Sequence, residues 1–155
     1  MVEWSRRAEP GPLRVRRTLR SMQTMEKRDY LLRQIEALGR ILSRLRSLIV
    51  GGDTVAADAE IRQEMRNAGL ELSTANALDP ATLRMLLGGA VMDSRRAFTV
   101  GSLLHLDALR ARAEGDEAWA ARSAAGARAL LAAVRPQLDP DRAALADELL
   151  AGWPK

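Results

Sequence analysis

The chain has 155 residues, 47% of them apolar, with no cysteine and a formal net charge of +4. That length suits one domain burying roughly two-thirds of its unfolded surface, and the missing cysteine excludes disulfides, thiolate zinc sites and cysteine nucleophiles. No apolar run approaches the roughly 18 residues of a bilayer-spanning helix, and the basic N-terminus lacks the apolar stretch of a secretory signal, so a cytoplasmic location is expected.

Trp4, Tyr30, Phe98, Trp119 and Trp153 are the only aromatic residues. The core must therefore be built from Leu, Ile, Val, Met and Ala. These are mostly good helix formers, and long β-branched runs are absent. The expected fold is all-α: five or six helices arranged as two antiparallel helical hairpins, tetratricopeptide-like or a helical bundle. Residues 1–24 read as an arm and 25–155 as a single helical domain.

The arm carries the whole net charge. Residues 1–24 hold six arginines against Glu3 and Glu9, and the remainder holds 18 basic and 18 acidic residues. The arm has no apolar stripe and contains Glu9-Pro10-Gly11-Pro12. It reads as mobile, or as the product of a start read too far upstream, with Met25 or Met22 as the true start. Arg14, Arg16, Arg17 and Arg20 are its candidate contacts for an anionic partner such as nucleic acid. Against this, only Lys27 and Lys155 are lysine. An Arg- and Ala-rich composition follows from GC-rich coding, so arginine frequency is not itself a phosphate-binding signal.

The first predicted helix spans about 26–49. Leu31, Ile35, Leu38, Leu42, Leu45 and Ile49 step by 4, 3, 4, 3 and 4, an unbroken a/d pattern. Leu32, Ile41 and Leu48 widen the stripe. Asp29–Arg33 and Glu36–Arg40 have i,i+4 spacing in the favoured order. The face Leu31, Leu32, Ile35, Leu38, Ile41, Leu42, Leu45 and Leu48 is either core or a self-association surface, because periodicity does not separate the two.

Gly51-Gly52 ends this helix, and Asp53 caps a second over about 54–68, which Gly69 closes. "LELSTANA" reads as a looser stretch with Leu70 and Leu72 tucked inward. Asp79-Pro80 starts a short helix that Gly88-Gly89 stops. Asp93 caps a helix over 94–113 that is apolar on several sides, which predicts more than one packed neighbour. Gly115-Asp116 turns the chain into a helix over 117–134, with Ala120, Ala124, Ala127, Leu131 and Val134 on one face. Asp139-Pro140 starts the sixth, ending near Leu150, after which Trp153 is expected to return to the body.

The two Gly-Asp turns lie 63 residues apart, and at that offset Ala57 aligns with Ala120. Helical hairpins with small residues on the second helix are units of helical repeat proteins. Leu104, Ala108, Ala111, Ala120 and Ala127 fall where a tetratricopeptide unit places small and apolar residues. Asp107 and Ala124 depart from that pattern, at positions that usually hold larger apolar residues.

"RDYLLRQIEALGRILSRL" resembles the opening of an uncharacterised bacterial family whose members begin Asp-Tyr-Ile/Leu-x-Arg-x-Ile-Glu. Asp29, Tyr30, Arg33, Ile35 and Glu36 match it. The resemblance covers roughly residues 28–135 and implies tetratricopeptide-like helices. It carries no activity or catalytic residues, and the segment before Met25 departs from the family's pattern.

Chemistry is sparse. His105 is the single histidine. Asp107, at i+2, points elsewhere on a helix and Glu114 is too far along, so His105 reads as a partly buried or boundary residue. Asp58, Glu60 and Glu64, Asp116 and Glu117, and Asp147 and Glu148 read as solvated charged faces beside arginines. Gly88-Gly89 lacks the Lys-Ser/Thr of a phosphate loop. Arg33, Arg40 and Arg44 form a stripe without aromatic neighbours for base stacking. The expectation is therefore a non-enzymatic protein-interaction module without metal or cofactor, associating with a protein partner or with itself. A nucleic-acid-associated protein using the arginine arm is the alternative.

Overall fold

The computed structural model describes residues 12–88 and 93–151, with side chains except those of 12–21, 24, 27, 28 and 31. Among these residues the fold is all-α, with seven helices and no strand. They are α1 Pro12–Val50, α2 Thr54–Asn67, α3 Leu72–Ala77, α4 Pro80–Leu86, α5 Ser94–Ala113, α6 Glu117–Val134 and α7 Pro140–Ala151, with a 3-10 turn at Arg135–Gln137. Trp153 lies outside the described residues.

The count of seven corrects the expected five or six. The addition is α3, which occupies the stretch read as loose. Its Ser, Thr and Asn are poor helix formers, and tertiary contacts hold it instead: Leu72 and Asn76 are both buried. The expected inward turn of Leu70 and Leu72 is observed. The second difference is the start of α1, which begins at Pro12 and not near residue 26. Proline is well placed at a first helical position. Leu, Arg, Met and Gln then sustain helix by propensity without an apolar stripe.

The predicted caps at Asp53, Asp79, Asp93 and Asp139 form: their carboxylates accept hydrogen bonds from the first-turn amides of Ala56, Thr82, Arg96 and Arg142 respectively. Asp116, expected only as a turn residue, also caps its helix, accepting from the Trp119 amide. Gly69 closes α2 at φ +84°. Its amide donates to the Arg66 carbonyl, and the Leu70 amide donates to that of Met65, the paired bonds of a Schellman motif.

The chain divides into two compact units, Met1–Ala37 and Leu38–Lys155. In the first, the described element is the N-terminal part of α1. Met22, Met25, Tyr30 and Leu32 are exposed on it, and no second element is described in this unit. The second unit holds the core. Helix α5 lies at its centre, with thirteen buried residues, and it packs on α2, α6 and α7 as its broad apolar surface predicts. Around it, Leu42 and Leu45 come from α1, Ile61 and Met65 from α2, Leu83 from α4, Leu130 and Leu131 from α6 and Ala146 from α7.

The closest helix pair is α5 with α6. Small residues permit the approach. A Cβ on Gly101 would stand 3.1 Å from the Leu131 side chain, and one on Gly126 would stand 3.3 Å from those of Leu104 and Leu83.

Candidate functional site

Two places in the second unit gather polar chemistry or open space. The first is a buried network centred on Asp107, which is fully buried on α5. Its Oδ1 accepts from Arg110 Nε at 3.0 Å and Nη2 at 2.8 Å. Its Oδ2 accepts from Trp119 Nε1 at 2.7 Å and Ser123 Oγ at 2.6 Å. Ser123 Oγ in turn accepts from Asn76 Nδ2 at 2.7 Å, and Asn76 Oδ1 accepts from Arg122 Nε at 2.9 Å. The Arg122 guanidinium sits 5.8 Å above the centre of the Trp119 ring, within cation–π range.

Every partner lies where its helix must put it. Arg110 stands one turn beyond Asp107 on the same face of α5. Trp119 and Ser123 are one turn apart on α6, which the close α5–α6 packing brings opposite. Asn76 reaches across from α3, so the network fastens three helices. Arg110 also pairs with Glu114 at 2.7 Å and Asp58 of α2 at 3.5 Å. Burial works against the guanidinium's charge, but the hydrogen bond and charge of Asp107, with Asp58 and Glu114, outweigh it and raise the Arg110 pKa. A cavity of about 320 Å³ opens above, bordered by Asp58, Arg62, Arg110, Glu114 and Trp119. Chemically this is a saturated carboxylate. Each oxygen is engaged by two donors.

The second place is apolar. A cavity of about 440 Å³ lies between α1, α5 and α7, walled by Leu42, Leu106, Leu109, Leu145 and Leu149. Gly39, Ser43, Arg46, His105 and Glu148 complete its lining. His105 is only 4% exposed. Burial, and then the Arg46 charge, push its pKa from 6.5 down to about 4. The imidazole is therefore neutral at neutral pH. Among the described residues no group of three or more acidic or His side chains is placed to hold a metal ion.

The residues of the candidate association face separate. Leu42 and Leu45 are buried in the core, and Leu42 also borders the apolar cavity. Leu38 and Ile41 pack half-buried against the core, and Leu48 is half-buried. Leu32 is exposed and Ile35 half-buried in the first unit. The side chain of Leu31 lies outside the described residues, as do those of Arg14, Arg16, Arg17 and Arg20, whose backbone is helical. The expected pairs Asp29–Arg33 and Glu36–Arg40 do not form, whereas Arg44 reaches Glu60 of α2 at 2.6 Å.

Sequence reasoning passed over the Asp107 network. The available signal was an acid and an arginine, three residues apart, in a helix otherwise apolar on several sides. The apolar cavity had no sequence signal except Gly39, a helix-weakening residue inside a strong helix. Comparison with known protein families, with curated proteins and with solved structures finds no match.

Proposed function

We propose that this chain is a non-enzymatic helical interaction module that presents α1 to a protein partner. One observation carries the reading: Met22, Met25, Tyr30 and Leu32 are exposed on a helical segment, and among the described residues its unit holds no second element. Isolated helices are marginal in water, and exposed apolar side chains grouped on one segment mark interaction sites. The saturation of Asp107 supports a structural role for the polar cluster around it. The close α5–α6 pairing across Gly101 and Gly126 supports the antiparallel-hairpin, tetratricopeptide-like reading, as does the Gly-Asp turn between these helices. A cytoplasmic setting belongs to the same reading.

The test places a photo-reactive amino acid at position 32 of the full chain, in the cell that makes it. A saturable adduct to a polypeptide, absent when Met25 is also changed to Glu, is expected. The absence of any adduct, to this chain or another, overturns the reading.

A further inference from the structure

Three helix faces border the apolar cavity, and helical spacing sets each of them. Gly39, Leu42, Ser43 and Arg46 share one face of α1. Leu145, Glu148 and Leu149 share one face of α7, and His105, Leu106 and Leu109 come from α5. All of these residues belong to the second unit. The lining is graded by depth. Leu42, His105 and Leu106 are buried, Leu109, Leu145 and Leu149 half-buried, and Ser43, Arg46 and Glu148 exposed. The cavity therefore has an apolar interior and a charged mouth.

That mouth carries one charge of each sign. Neither Arg46 nor Glu148 forms an ion pair, with the other or elsewhere, among the described residues. Buried His105 is neutral at neutral pH, so the lining sums to zero charge. Two separated, opposite charges complement a ligand that is itself dipolar. A ligand with a single charge meets a like charge at the same mouth and is disfavoured. Gly39 adds room. Glycine inside a helix costs about 1 kcal/mol relative to alanine. This one is not at positive φ, and a Cβ built on it would meet nothing within 4 Å. No contact within the chain requires a glycine there, whereas a wide cavity does.

We propose that this cavity binds a free α-amino acid with an apolar side chain. The ligand's carboxylate pairs with the Arg46 guanidinium and its ammonium with the Glu148 carboxylate, both charge-assisted contacts. Its side chain lies among Leu106, Leu109, Leu145 and Leu149. A free α-amino acid carries both charges on one carbon, which a fatty acid, an alkylamine or the interior of a polypeptide does not. The volume, about 440 Å³, lies near the lower end of the roughly 300–1,000 Å³ of small-ligand sites, which are likewise mostly apolar with a few placed polar groups. The proposal does not depend on the partner reading of residues 22–32, which belong to the first unit.

L-Leucine, L-methionine and L-phenylalanine titrated into the full chain test this, followed by ligand-detected NMR and calorimetry. At least one is expected to bind with a millimolar or tighter dissociation constant. Isocaproate and isoamylamine are leucine without its ammonium and without its carboxylate, and each should bind at least tenfold more weakly than leucine. Arg46→Gln and Glu148→Gln should each weaken amino-acid binding at least tenfold. Arg46→Glu combined with Glu148→Arg should recover part of that loss. Gly39→Leu improves helix propensity, so the fold is retained by circular dichroism, and it fills the cavity wall and should abolish binding. No binding of any of the three amino acids at millimolar concentration overturns the proposal. So does isocaproate or isoamylamine binding as tightly as leucine, which would mark a plain apolar pocket. Binding unchanged by Gly39→Leu overturns it too, because the ligand would then sit elsewhere.

Discussion

At the scale of single residues, Asp107 and His105 show two ways of keeping a polar side chain inside a helix core. Asp107 is held by four donor contacts. Replacing it with alanine removes the acceptor of the Trp119 indole N–H and of the Ser123 hydroxyl and leaves the buried Arg110 guanidinium only Glu114 and Asp58. Breaking such a pair by removing one partner costs about 3–5 kcal/mol, and we predict that loss for Asp107→Ala in urea unfolding monitored by circular dichroism. A loss below about 1 kcal/mol, the centre of ordinary point mutations, contradicts the network's role. His105 is instead buried neutral. Its folded pKa, about 4, lies below the unfolded 6.5. Between these values the unfolded chain binds the extra proton. Stability is therefore fully present above pH 6.5 and falls as pH drops toward 4, by up to about 3 kcal/mol. Unfolding midpoints of the wild type and His105→Gln should converge or diverge across this window by the histidine's contribution alone. Parallel pH profiles for the two proteins contradict the assignment.

At the scale of elements, the α5–α6 seam is the most constrained. A side chain at 101 must displace Leu130 or Leu131, both fully buried. We predict that Gly101→Val destabilises the fold by about 1–3 kcal/mol through overpacking, read as a shifted urea midpoint at unchanged slope. Unchanged stability would mean that the seam has slack. The same seam shows what was legible in the sequence. The caps at Asp53, Asp79, Asp93 and Asp139 were readable because a carboxylate before a helix satisfies free amides locally. The many-sided packing of α5 was readable from its apolar breadth. Helix α3 was not, because Asn76 and Leu72 hold it through residues remote in sequence. The early start of α1 was not either, because the reading depended on an apolar stripe that residues 12–25 do not have. The Asp107 network needed three helices in place before its donors met.

For the whole molecule, the consequence of the α5–α6 pairing is kinetic. The two longest helices of the second unit are neighbours in sequence, joined at Gly115-Asp116, and they share the most extensive contact in the fold. Their docking closes short loops, whereas α7 arrives later in the chain and is tied partly by the bidentate Arg135–Asp147 pair. Chains dominated by local contacts fold fast, and their nucleus forms where early contacts close the least entropy. The folding transition state is thus expected to contain α5 and α6 already docked. In stopped-flow chevrons, Gly126→Ala should act mainly on the folding arm. Asp147→Ala should leave that arm in place and speed unfolding. The reverse assignment of arms would put the nucleus elsewhere. The glycines that let two helices touch would then shape the finished core without setting the rate at which it is reached.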